Sequence, residues 1–183
     1  MRYALDCHPR DQVCPVRGER NFHVFYELIR GGSDALLDAA RLGRDVNSLS
    51  SRYLPTATFD MPVPRDDAAE MAALTSALSA ADVPDAEIAE LFKCIGAILH
   101  LGAIGLGGSK SADKSAESRA AVDAGSEGTL KTAAELIGCE SAALRSALCV
   151  RQIRAGSDWM AIPNSAEKVR CYIYRSMRVD DLT

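Results

Sequence analysis

The sequence lacks several features that would assign a chain quickly to a class. Its 183 residues contain no apolar run long enough to span a membrane, and only 5% of them are aromatic. The first ten residues have no apolar core typical of a signal peptide, so we expect no secretion. The net charge of −4 argues against bulk binding to nucleic acid or to an anionic membrane. We therefore expect a cytoplasmic globular chain with neither of these partners.

Metal-binding and disulfide patterns are also missing. The chain has six cysteines, and none form a C-x-x-C pair. They are Cys7, Cys14, Cys94, Cys139, Cys149 and Cys171. Cys7, His8 and Cys14 fit no standard zinc spacing, because no second pair of ligands follows. Free cysteines, buried where they lie in apolar helices, are the prediction.

A glycine cluster near the middle of the chain does not meet the requirements of a phosphate-binding loop. In "GAIGLGGSKS", Gly102 and Gly107 have the right separation, but two residues intervene before Lys110. The stretch also follows a predicted helix, whereas such a loop leaves a strand and opens a helix. We predict no cofactor site in this chain.

No catalytic constellation emerges from the remaining polar residues. His23 and His100 lie in or beside helical apolar faces, where a histidine making one hydrogen bond is the ordinary interpretation. No serine has the setting of a nucleophile elbow, and the carboxylates follow solvated helix faces or ends. We predict no catalytic and no metal-binding residues.

Apolar residues recur at helical spacing along most of the chain, which predicts a mainly α fold. The predicted helices cover residues 20–30, a short segment from Ser33, and 66–81, 84–102, 128–138, 140–149 and 165–179. Ser141 is the predicted N-cap of helix 140–149. Helix 84–102 carries the widest apolar face, which includes Leu91, Phe92 and Leu99, and should be the most buried. Three prolines forbid a regular helix within 44–65.

The stretch "GERNFHVFYELIRGG", residues 18–32, raises a specific question. Asn21 is a plausible N-cap, and the two glycines at 31 and 32 a plausible left-handed C-cap. The sequence leaves two interpretations of Glu19, Arg20 and Asn21. The favoured one is an N-cap with local ion pairing. The other is a junction where the start of a helix docks onto another segment.

Two further segments depart from the helical pattern. Residues 107–127 are rich in serine, alanine and charge, which predicts a flexible, disordered surface insertion. Residues 150–163, "VRQIRAGSDWMAIP", have turn chemistry between apolar positions and predict a projecting β-hairpin. With Arg151, Arg154 and Asp158 near the apolar Trp159, this hairpin suits a contact patch. The alternative, that Trp159 packs back onto the lobe, stays open.

Five motifs together make a resemblance. "GERNFHVFYEL" closely resembles the stretch that follows switch I in myosin motor domains. "YALD" at 3–6, "RYLP" at 52–55, the helix ending in "LHLG", and residues 130–153 are similar to further motifs of that family, in its order. In the motif of the helix that ends in "LHLG", Ala103 and Leu106 replace the usual asparagine and phenylalanine of the family.

The resemblance implies a fold and a parent activity. It makes residues 1–183 one partial domain, the upper fifty-kilodalton subdomain, a helical lobe of a P-loop motor driven by ATP and magnesium. In that frame the P-loop and switch I precede residue 1 and switch II follows residue 183, so we expect no ATP hydrolysis by this chain. The implied partners are the remainder of the motor domain and the actin filament, in a cytoskeletal location.

The resemblance also assigns a contact surface. The hairpin maps to the family's cardiomyopathy loop, which touches actin, and the implied contact residues are Arg151, Arg154, Asp158, Trp159 and Met160. Two alternatives stay open: a stand-alone helical actin- or protein-binding module without ATPase activity, and the product of an incomplete gene prediction.

Overall fold

The computed structural model describes residues 20–45, 48, 49, 51–54, 65–109, 119–156, 158–166 and 169. Over these residues the prediction of a mainly α fold is confirmed. The helices are α1 (His23–Gly31), α2 (Asp34–Ala40), α3 (Asp67–Ala80), α4 (Asp85–Ala103), α5 (Glu127–Ile137) and α6 (Ser141–Cys149), with a 3₁₀ turn at Ala124–Ser126. Much of the predicted irregular stretch 44–65, including all of 55–64, lies outside the described residues, as does nearly all of the predicted helix 165–179.

Within the described residues, four strands form two separate antiparallel pairs. They are β1 (Leu106–Ser109) with β2 (Arg119–Val122), and β3 (Val150–Ala155) with β4 (Asp158–Pro163). The second pair confirms the predicted hairpin at 150–163. Its register runs from Val150 opposite Pro163 to Ala155 opposite Asp158.

Helix α4 contributes to all three hydrophobic clusters that the described residues form. Phe92 packs with residues of α1, α2 and α3, whereas Leu99 packs with α1 and Tyr53. The third cluster includes Ile104, directly after α4, and Leu130 of α5, and Leu101 of α4 packs against it. One part of the prediction is wrong, since Leu91 is 49% exposed. The buried stripe of α4 is therefore narrower than its apolar sequence suggests.

The caps of α1 differ from the predicted ones. Phe22 is the N-cap, and the Asn21 side chain accepts a hydrogen bond from the Phe22 amide instead of from the first turn. Gly32 is extended, with φ −61°, so no left-handed C-cap forms. A Cβ at Gly31 would lie 2.6 Å from the Cα of Ala68. The glycine pair ends α1 where α3 approaches it, and this close contact, not positive φ, explains the glycine at 31.

The predicted surface insertion at 107–127 needs correction at both ends. Residues 107–109 belong to β1, and residues 119–122 form β2. Ala120 is buried with Leu106 and Leu130 in one cluster, which gives this segment the core face that its composition hid. Residues 110–118 lie outside the described part of the chain.

Two smaller predictions also change. Glu140, not Ser141, is the N-cap of α6. Cys94 and Cys139 are exposed and Cys149 is half-buried, so the prediction of buried helical cysteines is wrong for Cys94. All three are free thiols, as predicted.

Candidate functional site

The β3–β4 hairpin projects from the lobe. Along its two strands only Val150 and Ile162 are even half-buried, and every other described residue is exposed. Gly156 opens the turn with φ +67°, a conformation that favours glycine. Arg154 Nε donates a hydrogen bond to the Gly156 carbonyl at 3.2 Å, which ties the arginine stem to the turn.

The exposed side chains of the hairpin include two large apolar ones. Trp159 is 68% exposed and Met160 is 53% exposed. The interpretation that Trp159 packs back onto the lobe is therefore wrong. An exposed tryptophan beside an exposed methionine, with two arginines on the paired strand, is a composition enriched in protein interfaces.

Strand geometry divides the predicted contact residues between two faces. Arg154 pairs directly with Trp159, and Ile153 pairs with Met160. Because side chains alternate along a strand, Arg154 and Trp159 share one face. Arg151, Asp158 and Met160 share the opposite face with Ile153. Sequence reasoning did not include Ile153, which is 37% exposed, although the alternation of the hairpin points to it.

A second polar arrangement lies at the start of α1. Arg20 Nη1 lies 2.8 and 3.0 Å from the two carboxylate oxygens of Asp67, the first residue of α3. Arg30 Nη1 lies 2.6 Å from Asp67 Oδ2. The side chain of Asp67 is 2% exposed and that of Arg20 is 7% exposed. For Arg20 this buried bridge confirms the junction interpretation over the favoured local one, whereas Glu19 lies outside the described residues.

Neighbouring charges extend this junction. Arg65 Nη2 lies 2.7 Å from Glu27 Oε1 and 3.2 Å from Glu70 Oε2. The Arg20 guanidinium also stacks over the Tyr26 ring, 4.7 Å from its centroid. Burial raises the pKa of the Tyr26 phenol, so it stays neutral near pH 7. The whole arrangement is a structural clamp between α1 and α3.

The two candidate histidines occupy different environments. His100 is buried, and its Nε2 lies 3.0 Å from the carbonyl oxygen of Arg41, which confirms the prediction of one hydrogen bond. Burial lowers the pKa of His100, against a smaller raising effect of the Arg41 and Ala40 carbonyls. His23 is exposed on α1, so it is not a core-edge residue.

The glycine stretch after α4 faces a carboxylate. A Cβ at Gly105 would lie 2.5 Å from Asp123 Oδ2, and one at Gly107 would collide with the other oxygen. Gly105 also donates its N–H to the Ser126 hydroxyl at 2.8 Å and accepts from the Asp123 amide at 2.9 Å. A carboxylate against the glycines repels phosphate, and this N–H is already occupied, so the stretch does not fit ATP.

The described residues hold neither a cluster of metal ligands nor a helix that could span a membrane. Among the described residues, no three His, Cys, Asp or Glu side chains come together as metal ligands. Within those ranges no helix is both long and apolar enough to cross a bilayer.

Comparison with known proteins identifies the family of this chain. The model of the myosin head (motor domain) matches residues 11–176, and the chain belongs to this family. It is 34% identical over 155 residues to unconventional myosin IC of Drosophila melanogaster, a match that covers 85% of this chain and 14% of that protein.

Two further relatives agree. Identity is 32% over 151 residues with unconventional myosin-Ic of Mus musculus, covering 82% of this chain and 13% of the relative. It is 31% over 147 residues with myosin ID heavy chain of Dictyostelium discoideum, covering 79% and 12%. The chain therefore corresponds to part of a myosin motor domain and spans only a small share of its relatives' length.

Proposed function

We propose that this chain is the upper lobe of an ATP-dependent, actin-based cytoskeletal motor, and that its β3–β4 hairpin contacts the actin filament. The observation that carries the proposal is the exposed pair Trp159 and Met160 on a projecting hairpin. Family membership supports the choice of actin as partner and a cytoplasmic, cytoskeleton-associated location.

Exposure of large apolar side chains supports an interface. A tryptophan left in water forgoes the roughly 25 cal/mol per Å² that burial of apolar area contributes. Tryptophan and arginine are also the residues most enriched among interface hot spots. Arg151 and Arg154 add positive charge to both faces of the hairpin. We infer that Trp159, Met160 and Ile153 make apolar contacts, while the arginines and Asp158 set orientation and salt dependence.

In this proposal, ATP is bound and hydrolysed outside the lobe. ATP and magnesium would be bound by the remainder of the motor domain, which we propose as the second partner of the lobe. The carboxylate of Asp123 against the glycine stretch favours a lobe that binds no phosphate itself. The same observation supports the alternative function, a stand-alone actin- or protein-binding module without ATPase activity.

Cosedimentation with actin filaments over a range of salt concentrations tests the proposal. We expect weak binding that falls as salt rises. Trp159→Ala should weaken it about tenfold or more, the loss expected of a hot-spot residue. Arg154→Glu should weaken it and flatten its dependence on salt, because it removes an attractive charge.

Two control variants make comparable changes of charge and size outside the hairpin. Lys131→Glu makes the same charge reversal on α5, where the side chain is 74% exposed. Leu91→Ala removes a half-exposed apolar side chain from α4. Neither should change actin binding. If the hairpin variants bind as the wild type does, or all four variants lose binding equally, the hairpin is not the actin contact.

A further inference from the structure

Asn164, at the base of the hairpin, makes hydrogen bonds that connect the hairpin to the rest of the lobe. Strand β3 begins at Val150 directly after α6 ends, with no loop between them. The side chains along the two strands are mostly exposed. Asn164, which follows β4 immediately, is only 5% exposed. The direction of the hairpin must therefore be fixed at this base.

Asn164 caps the end of α6 with two donors. Its Nδ2 donates to the Leu148 carbonyl at 3.1 Å, and its backbone N–H donates to the Cys149 carbonyl at 2.8 Å. The last carbonyls of a helix have no partner within the helix, and glycine at the C-terminus often resolves this. No glycine follows α6, and Pro163 has no N–H to give. Asn164 supplies both bonds from the far strand of the hairpin.

The same residue joins the hairpin to β2. The backbone carbonyl of Asn164 accepts a hydrogen bond from the Ala120 amide at 2.7 Å. Next to it, Ser165 forms an antiparallel bridge with Arg119. Asn164 thus links α6, the base of β3–β4 and the edge of β1–β2 at one buried point.

We propose that Asn164 is the positioning residue of the hairpin. Its amide locks the end of α6 to the end of β4, and its carbonyl locks both to β2. Together these bonds set the direction in which Trp159 and Met160 leave the lobe. Insofar as that direction matters for actin, the inference rests on the proposed function. The positioning itself does not depend on any partner.

Trp159 allows a direct test, because it is the only tryptophan of the chain. In Asn164→Ala, time-resolved fluorescence anisotropy should show a larger component of fast segmental motion at Trp159. Exchange of the Ala120 amide, followed by NMR, should accelerate about fivefold, the effect of one lost hydrogen bond on an opening equilibrium. Asn21→Ala is the matched control: it removes an amide that accepts from Phe22, far from the hairpin, and should change neither signal.

An isosteric variant separates the effect of the Asn164 Nδ2 donor from the effect of the size of its side chain. Asn164→Asp keeps the size of the side chain and removes the Nδ2 donor, so it should loosen the hairpin as Asn164→Ala does. If circular dichroism shows that Asn164→Ala does not fold, Asn164→Ser replaces it. We expect the same changes in anisotropy and exchange in Asn164→Ser, but smaller ones. Unchanged anisotropy and exchange in the folded variants, or wild-type behaviour of Asn164→Asp, would overturn the assignment.

Actin cosedimentation distinguishes this inference from the proposed function. If the wild type does not bind actin, the proposed function fails, while the anisotropy and exchange results still decide the positioning role. If the wild type binds and Asn164→Ala binds equally well despite a loosened hairpin, then Asn164 does not position the hairpin for actin.

Discussion

Arg20 and Asp67 are 47 positions apart in sequence, yet the guanidinium reaches both carboxylate oxygens, at 2.8 and 3.0 Å. Asp67 opens α3 and Arg20 precedes α1, so one ion pair fixes the starts of two helices against each other. Arg30, from the last turn of α1, holds the same carboxylate. Within "GERNFHVFYELIRGG", Arg20 thus holds the start of α1 against the start of α3.

We expect Asp67→Ala to lower the free energy of unfolding by about 3–5 kcal/mol, because it leaves Arg20 buried without its carboxylate. Urea unfolding followed by circular dichroism measures this. Asp34→Ala is the control, since Asp34 pairs with Arg44 at the surface, where both side chains are more than half exposed. Its effect should stay below about 1 kcal/mol. Equal losses in the two variants would contradict a buried clamp.

The elements that sequence reasoning recovered are those determined locally. The helices with strong apolar periodicity and the hairpin at 150–163 follow from spacing and turn residues within a few positions. The Arg20–Asp67 bridge could not be predicted this way, because nothing near Arg20 identifies an aspartate in another helix. The exposure of Trp159 was likewise undetermined, since one apolar residue on a hairpin can face the lobe or the solvent.

Strands β1 and β2 were missed for a different reason. Five of their eight residues are glycine, alanine or serine, and glycine and alanine have low β-propensity. They pair because Leu106 and Ala120 reach the cluster around Leu130, a tertiary effect that overrides local preference. The same limit applies to Asn164, whose hydrogen-bond partners lie in two other segments, α6 and β2.

Gly31→Ala should destabilise the lobe by about 1–3 kcal/mol, because the added methyl would lie 2.6 Å from the Ala68 Cα and 2.8 Å from the Met71 Cβ. Backbone atoms of α3 cannot yield without moving the helix. Thermal unfolding compares it with Gly128→Ala, at a position of α5 with nothing within 4 Å. Gly128→Ala should be neutral or stabilising by up to about 1 kcal/mol. A neutral Gly31→Ala would show that α1 and α3 are not in close contact.

Burial of His100 predicts a dependence of stability on pH. Its pKa in the folded chain lies below the ordinary value of 6.5. Between the two values the unfolded chain binds a proton that the folded chain does not, so stability falls as pH decreases below about 6.5, by at most about 1.4 kcal/mol per pH unit. His100→Gln should remove this part of the profile. His23→Gln, on an exposed residue, should leave it. The measurement is urea unfolding at several pH values between 5 and 7.5, and a wild-type slope in His100→Gln would contradict the assignment.

The isolated chain should bind no ATP in the micromolar range. The glycines that match part of a phosphate-loop pattern face the Asp123 carboxylate, and the N–H of Gly105 already bonds to Ser126. Isothermal titration with magnesium and ATP tests this. Asp123→Asn removes the repulsive charge and should still show no binding, because the stretch enters a strand and offers no helix N-terminus to the phosphates. Micromolar affinity of the wild type would show that this lobe contributes phosphate contacts of its own. Affinity gained only in Asp123→Asn would mean that charge, rather than backbone direction, keeps phosphate away.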